Sequence, residues 1–280
     1  MISQTIMKKF IVNKPQDLKS FLAENLKVSK NKAKELIDTK NILVNSKRVW
    51  IANHNLNVGD IVEVSLLNSK NLKFKFSEKN IVYEDNYIIA VNKPPFYISE
   101  NKKASIEDLL RKRLGKSLKA IHRLDFETSG VLLFAKNYKI FEKFKKLWKD
   151  KKVKKLYLAI AHNKANFKKK VISINIEKKP AKSTVFALKT AQNYSLFKID
   201  IKTGRKHQIR IHLSKVGHPI VGDKTYGYKT VEDPLLKEVK RQMLHARSLE
   251  FIHPFLNKHI RIEAPTFEDF EILAKKLNLS

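Results

Sequence analysis

The sequence predicts an α+β protein: a mixed, largely antiparallel sheet flanked by helices, preceded by a small α+β domain. Three observations lead there. Short branched or apolar runs such as Tyr87–Val91, Val131–Ala135 and Leu156–Ala161 have the length of strands and end at prolines, charges or polar clusters. Helical spacing of apolar residues appears in only a few segments between them. Several strand-like pieces also follow one another across a few polar residues, as hairpins do, and this favours antiparallel pairing.

Taken in order, Asp17–Leu26 reads as a helix, with Leu18, Phe21, Leu22 and Leu26 on one face and Asp17 as N-cap. A second helix is expected from Ser29 to about Thr39, turning Ala33, Leu36 and Ile37 inward and Lys30, Lys32 and Lys34 outward. Strands follow at 42–44, 49–51 and 61–66, the first two separated by Asn45–Arg48 and the last introduced by Gly59–Asp60. Residues 1–67 therefore form a small first domain. The polar, aperiodic stretch 68–80 reads as a linker and 81–280 as the second domain. In that domain the strand at 87–91 is stopped by Pro94 and Pro95, and a helix at 140–148 carries Phe141, Phe144 and Leu147 on one stripe. The lysine run 149–155 is open to a plain interpretation as a solvated helix end. A strand at 156–161 carries Tyr157, for which core packing is the ordinary role. Ile209, Leu213 and Val216 mark a further helix, ended by Gly217 and Pro219, and a last helix over 267–277 buries Phe270, Leu273 and Leu277.

Charge is the strongest compositional signal. The 280 residues hold 58 Lys plus Arg against 27 Asp plus Glu, a formal net charge of +31. AT-rich coding would raise Lys, but it would raise Glu as well, so the scarcity of acids points to a polyanionic partner. Nucleic acid is favoured over a membrane surface, because no basic amphipathic helix with an aromatic apolar face is found. No apolar run approaches the length needed to cross a bilayer, and no signal-peptide pattern follows Met1. The absence of cysteine excludes disulfides, thiolate metal sites and a cysteine nucleophile, and a cytoplasmic protein is the simplest expectation.

Two stretches concentrate chemistry. In Ile121-His122-Arg123-Leu124-Asp125-Phe126-Glu127-Thr128-Ser129-Gly130, polar groups precede a Thr-Ser-Gly turn that feeds an apolar strand, which holds a carboxylate at the mouth of a sheet. In Thr203–Asp223 the helix presents Arg210 beside its apolar stripe, where an unpartnered guanidinium would be costly, and Asp125 is the candidate partner. His207, His212 and His218 do not have the spacing of metal ligands one turn apart with a carboxylate base, so no metal is expected.

The decapeptide around Asp125, the Glu84-Asp85…Asn92-Lys93-Pro94 segment, the Lys155-Leu156-Tyr157-Leu158-Ala159 strand and the Thr203–Asp223 block resemble, in the same order, the motifs of the RluA-type pseudouridine synthases. With the closing segment Arg241–Pro254 the resemblance spans nearly the whole chain. It departs at Phe96 and Tyr97, where the family usually has a glycine shortly after the proline, and at Lys206, often Thr or Ser. The first domain, over about Leu18–Leu66, is similar to the S-four-type RNA-binding domain. The resemblance implies a pseudouridine-synthase-type sheet and the isomerisation of uridine to pseudouridine within RNA, with no metal, nucleotide or redox cofactor. It implies that Asp125 is the catalytic residue, acting either as nucleophile at the anomeric carbon or as base for elimination at the neighbouring position. Arg210 would orient it, and Tyr157 would stack on the uracil. Arg123 would intrude into the RNA stack to help extrude the target. His122, Thr128, Arg205 and His207, with Lys30, Lys32 and Lys34 of the first domain, are expected RNA contacts. The expected partner is RNA, large-subunit ribosomal RNA ahead of tRNA, bound by a monomer with no membrane partner. The rivals are a non-catalytic rRNA-binding or ribosome-assembly protein and, further off, a metal-dependent nuclease or deaminase.

Overall fold

The computed structural model describes residues 6–38, 42–49, 51–66, 76–114, 117–228, 233–236 and 239–280. Two compact units emerge, Met1–Lys75 and Phe76–Ser280. The boundary falls inside the stretch expected as a linker, most of which (68–75) lies outside the described residues. Residues 76–80 are built into the second unit: Phe76 packs on its core, and Ser77 and Asn80 close a short capped turn.

The first unit runs β1 (Ile6–Ile11), β2 (Gln16–Asp17), α1 (Leu18–Asn25), α2 (Lys30–Asp38), β3 (Ile42–Val44), β4 (Lys47–Arg48), β5 (Asn55–Leu56) and β6 (Ile61–Leu66). Its antiparallel sheet has the order β1-β6-β3-β4, and β2 pairs separately with β5. The Asp17 carboxylate accepts from the Ser20 N–H at 3.0 Å, the cap the sequence indicated. Leu18, Phe21 and Leu22 of α1 and Ala33 and Ile37 of α2 close over Ile42, Val44, Val62 and Val64. The strand expected at 49–51 is displaced. Asn45 and Ser46 both take left-handed φ, 49° and 63°, so a two-residue hairpin loop returns the chain at once and pairing occurs at Lys47–Arg48. Trp50 lies outside the described residues.

The second unit contains β7 (Ile81–Glu84), β8 (Ile88–Lys93), α3 (Ile106–Leu114), β9 (Lys119–Ala120), β10 (Ser129–Ala135), α4 (Tyr138–Lys149), β11 (Lys154–His162), β12 (Lys169–Ser173), β13 (Lys182–Thr190), β14 (Tyr194–Ile201), α5 (Gln208–Lys215), β15 (Leu244–Ile252), β16 (His259–Glu263) and α6 (Glu268–Lys276). Its sheet has the order β12-β13-β14-β11-β15-β10-β8-β7, with β16 beside β15 and β9 beside β10. All these pairs are antiparallel except β10 with β15. It is the mixed, largely antiparallel α+β architecture the sequence predicts.

β8 and β10 show no polar alternation because both faces are covered. Ile88, Ala90, Val131 and Leu133 meet Ile140 and Phe144 of α4, while Ile89, Val91, Leu132 and Phe134 meet Ile106 and Leu110 of α3. A third cluster joins β11 and β14 to Ile209 and Leu213 of α5 and to Phe270, Leu273 and Leu277.

The expected Thr-Ser-Gly turn is shifted. The turn spans Asp125–Thr128, closed by the Thr128 N–H on the Asp125 carbonyl at 3.1 Å, and Ser129 already belongs to β10. Gly130, at φ 113°, answers a different need, since a Cβ there would lie 2.2 Å from the Ala246 carbonyl oxygen. The glycine is what lets β10 approach β15.

Candidate active site

One row across the sheet runs Lys93, Gly130, Ala246, Tyr157, each paired with the next. Directly paired residues share a face, so two small residues lie between a lysine and a tyrosine. The β11–β15 register shifts between Leu156 and Tyr157, because Leu156 faces Ser248 whereas Tyr157 faces Ala246. Such a bulge re-aims a side chain. Burial, with the charge of Asp125 added, pushes the Tyr157 phenol up.

Lys93 is fully buried, and its ammonium donates to the carbonyls of Pro94 at 2.9 Å, Tyr97 at 3.1 Å and Phe126 at 3.3 Å. All three ammonium protons are thereby used. Burial pushes the group down to about 7 and Arg241 adds to this, while Asp125 and Glu127 act in the opposite direction. The lysine ties the loop after β8 to the turn that holds Asp125. Phe96, where the sequence departs from the motif, occupies the left-handed region at φ 68° that a glycine would fill without strain. Its N–H donates to the Phe126 carbonyl at 2.7 Å. The Ser99 hydroxyl both donates to the Leu124 carbonyl and accepts from the Leu124 N–H, each at 3.0 Å.

Arg210 arrives from α5. Gln208 anchors the start of this helix: its amide donates to the Lys182 carbonyl and the Ser183 hydroxyl, both at 3.0 Å. The Arg210 guanidinium grips Asp223 with Nε–Oδ2 at 2.6 Å and Nη2–Oδ1 at 2.8 Å, and its remaining nitrogen, Nη1, reaches Asp125 Oδ2 at 3.1 Å. Burial opposes charge on this arginine, yet the hydrogen bonds and charges of Asp223, then Asp125, outweigh it and hold the guanidinium above its ordinary value. Burial likewise opposes the Asp223 anion, and Arg210 with the N–H groups of Thr225 and Tyr226 overcomes it and keeps the carboxyl below its usual range. Asp125 remains reachable, its side chain 19% exposed.

Two further groups complete the cluster. The Tyr226 ring lies 5.0 Å from the Arg210 guanidinium carbon, and its hydroxyl is 3.0 Å from His207 Nδ1. His207 Nε2 faces Asp125 Oδ2 at 3.7 Å, beyond hydrogen-bond length. Asp125, Tyr157, Arg210 and His207 are thus brought together. Lys93, Asp223 and Tyr226 join them without having been singled out from the sequence.

The other expected contacts are distributed differently. Arg123 is exposed two residues before Asp125, and Arg205 is exposed with its Nε on the Pro180 carbonyl at 3.2 Å. Thr128 is buried and its hydroxyl accepts from the Gln242 amide at 2.6 Å, so it stiffens the turn from inside. His122 accepts the Leu133 N–H at 3.2 Å and stacks on Trp148 with ring centres 5.2 Å apart. Burial, then Lys155 and Lys145, push this imidazole down to about 3 against a hydrogen bond with Arg123 that acts the other way. It ties β10 to α4 while staying partly exposed. Lys30 and Lys34 are exposed on α2, and the Lys32 side chain lies outside the described residues. His212 contacts Ser183 Oγ at 2.9 Å and the Ile174 carbonyl at 3.0 Å, and His218 the His162 carbonyl at 3.1 Å. Among the described residues no three His, Asp or Glu side chains cluster as metal ligands would.

Comparison with known proteins bears on this geometry. Residues 86–215, which contain Asp125, Tyr157 and Arg210, match the family described as RNA pseudouridylate synthase. The ribosomal large subunit pseudouridine synthase C of Buchnera aphidicola subsp. Schizaphis graminum is 34% identical over 89% of this chain and 90% of its own. Two solved human structures share the fold. RNA pseudouridylate synthase domain containing 4 has a TM-score of 0.62 at 20% identity, over 71% of this chain and 93% of its own. Domain containing 1 has a TM-score of 0.60 at 25% identity, over 71% and 90%.

Proposed function

The chain belongs to the RNA pseudouridylate synthase family, and on that premise we propose that Asp125 is its catalytic carboxylate, Arg210 the guanidinium that orients it, and large-subunit ribosomal RNA its substrate. An enzyme of this family is an isomerase: the N-glycosidic bond of a uridine breaks, the uracil turns, and it is rejoined to the ribose through carbon. Whether the carboxylate attacks the anomeric carbon or removes the neighbouring proton, it has to be anionic, aimed and reachable. The observation that carries this role is the 3.1 Å contact between Arg210 Nη1 and Asp125 Oδ2, made by a guanidinium whose other edge is already locked on Asp223. A cation fixed on one side cannot swing away when substrate enters, and it favours the anion on the other.

Tyr157, presented by the bulge opposite Ala246, supplies the ring that stacks on the uracil and assists removal of the ring proton after reattachment. Arg123 occupies the gap left when the target is extruded, offsetting part of an unstacking cost of a few kcal/mol. Arg205 and the lysines of α2 contact phosphates, and the first unit serves as an S-four-type RNA-binding domain. One chain contributes every member of the cluster, so a monomer is enough to form the site, and we place it in the cytoplasm. No helix among the described residues is long and apolar enough to cross a membrane.

The choice of ribosomal RNA is supported by the large-subunit enzyme among the relatives. Mapping pseudouridines in total RNA with and without the gene tests it. Loss of one or more large-subunit sites, restored by adding purified protein to unmodified rRNA, is the expected result. Losses confined to tRNA would replace the substrate assignment, and no loss in any RNA would overturn it.

A further inference from the structure

α4 is a basic amphipathic helix rich in aromatic residues, contrary to the expectation from sequence that there is none; Ile140 and Phe144 bury its inner face, and a partly exposed stripe beside them leads toward the Arg123 loop. Tyr138, Phe141, Lys145 and Trp148 follow helical spacing over about 15 Å, and Trp148 stacks on His122, the neighbour of Arg123. Two lysines are held on this stripe by aromatic rings. Lys119 Nζ lies 5.0 Å from the Tyr138 ring centre and 4.5 Å from that of Phe141, and Lys145 Nζ lies 5.6 Å from the Phe141 ring. Neither lysine, nor Arg123, forms an ion pair with a described residue. The acids nearby are outweighed. Half-buried Glu100 feels Arg123, Lys145 and Lys119 together, and α4 itself carries Lys139, Lys143, Lys145, Lys146 and Lys149 against the single acid Glu142, whose charge acts on the Tyr138 hydroxyl.

From this we propose that the stripe is a phosphate track for the RNA strand running on from the extruded uridine, with Lys119 and Lys145 as its fixed contacts. The proposal rests on the assignment of Arg123 to the extrusion loop. An ordinary surface lysine gives up rotamer freedom when it grips a phosphate; one already parked on an aromatic ring has less to lose. Three cations without an ion pair to a described residue, only partly offset by Glu100, match a polyanion by charge, and a stacked strand advancing about 3.4 Å along its axis per phosphate can lay several along this length. The aromatic rings thus act as props for ammonium groups.

A second set of ring-held lysines provides the control. Lys169 and Lys198 stand 5.7 and 5.0 Å from the Phe186 ring, near the β12 end of the sheet, away from the strands against which α4 packs. The same chemistry is present there without the loop. The experiment measures binding of full-length protein to transcribed large-subunit rRNA across a KCl series, and isomerisation at saturating RNA. Lys119→Gln with Lys145→Gln should weaken binding about tenfold and lower the log–log salt slope by about 1.4, at about 0.7 per single-strand phosphate. The loss should fall on KM and not on kcat. Lys119→Arg with Lys145→Arg should restore binding, and Lys169→Gln with Lys198→Gln should leave the slope unchanged. If the double Gln variant melts early, Lys145→Gln alone should still remove about half of the slope change. An unchanged slope in the α4 variants, or an equal loss in the Phe186 pair, would overturn the track while leaving the enzyme assignment standing. Absence of isomerisation by the unmodified protein would instead strike the assignment on which the track rests.

Discussion

Two arginines of the second unit are buried to almost the same depth and held in almost the same way, yet they do different work. Arg210 is 3% exposed and grips Asp223 through Nε and Nη2; Arg241 is 1% exposed and grips Asp269 through Nε at 2.6 Å and Nη2 at 2.9 Å. The difference lies in the remaining nitrogen. Nη1 of Arg241 ends on backbone carbonyls, Gln242 at 3.2 Å and Glu127 at 3.3 Å, whereas Nη1 of Arg210 ends on a carboxylate that solvent can reach. The fork of a buried arginine on an aspartate is therefore scaffold in both places, with Asp223 buried and Asp269 25% exposed. The proposed chemistry lies where the spare donor ends on the Asp125 carboxylate.

Both arginines reach the same turn. Arg241 reaches the Glu127 carbonyl, and its neighbour Gln242 donates its N–H to the Glu127 carboxylate at 3.2 Å and its amide to Thr128. Arg210 takes the Asp125 side chain. Exchanging arginine for lysine keeps the charge at each place and removes the fork, so the two sites should respond differently. Arg210→Lys should cut isomerisation about a hundredfold or more, near 3 kcal/mol of misplaced contact, in a single-turnover assay. Arg241→Lys should cost about 3 kcal/mol of stability in denaturant melts and leave turnover at low temperature within a few-fold. Equal losses of turnover in both variants would erase the distinction.

Two smaller effects sharpen it. Lys93→Met leaves three carbonyls without their donor and should destabilise by about 1–3 kcal/mol, read as a lowered melting midpoint, because the residue belongs to the supporting side of the turn. His122 is neutral when folded, with its pKa pushed to about 3 against an ordinary 6.5. An unfolded chain binds that proton at higher pH, so the stability His122 contributes is complete above about 6.5 and falls away as pH drops toward 3. His122→Gln should flatten the loss of stability between about pH 6.5 and 4, measured as the difference from wild type, whereas Asp223 loses its contribution only below its ordinary 3.8.

What the sequence disclosed followed from locality. Asp17 as a cap, the stripes of α1 and α4, Gly217 beyond the end of α5 and the motif order are all fixed by near neighbours or by spacing. The Arg210–Asp125 contact spans 85 residues and was inferable only because a buried guanidinium needs an anion and one stood in a motif. That same reasoning stopped at one partner and passed over Asp223, although a Gly-Asp pair at the end of the block was a visible turn signal. Lys93 had a signal as well, a lysine ending a wholly buried strand. The parallel contact of β10 with β15, which sets Gly130 against Ala246, and the bulged β11–β15 pairing, which sets Tyr157 on the other side of Ala246, come from strand order and register, and no local pattern encodes either. In the sequence His122 and Thr128 read as RNA contacts because they stand in the same motif as the candidate carboxylate; the Thr128 hydroxyl accepts from the Gln242 amide, and His122 accepts the Leu133 N–H of β10.

The most direct test replaces the carboxylate alone. Asp125→Asn keeps the shape of the side chain and removes its charge, and pseudouridine formation is then followed on unmodified large-subunit rRNA beside a binding measurement. Isomerisation should disappear while RNA affinity stays within a few-fold of wild type. Turnover close to wild type would contradict the assignment of Asp125 as the reacting group.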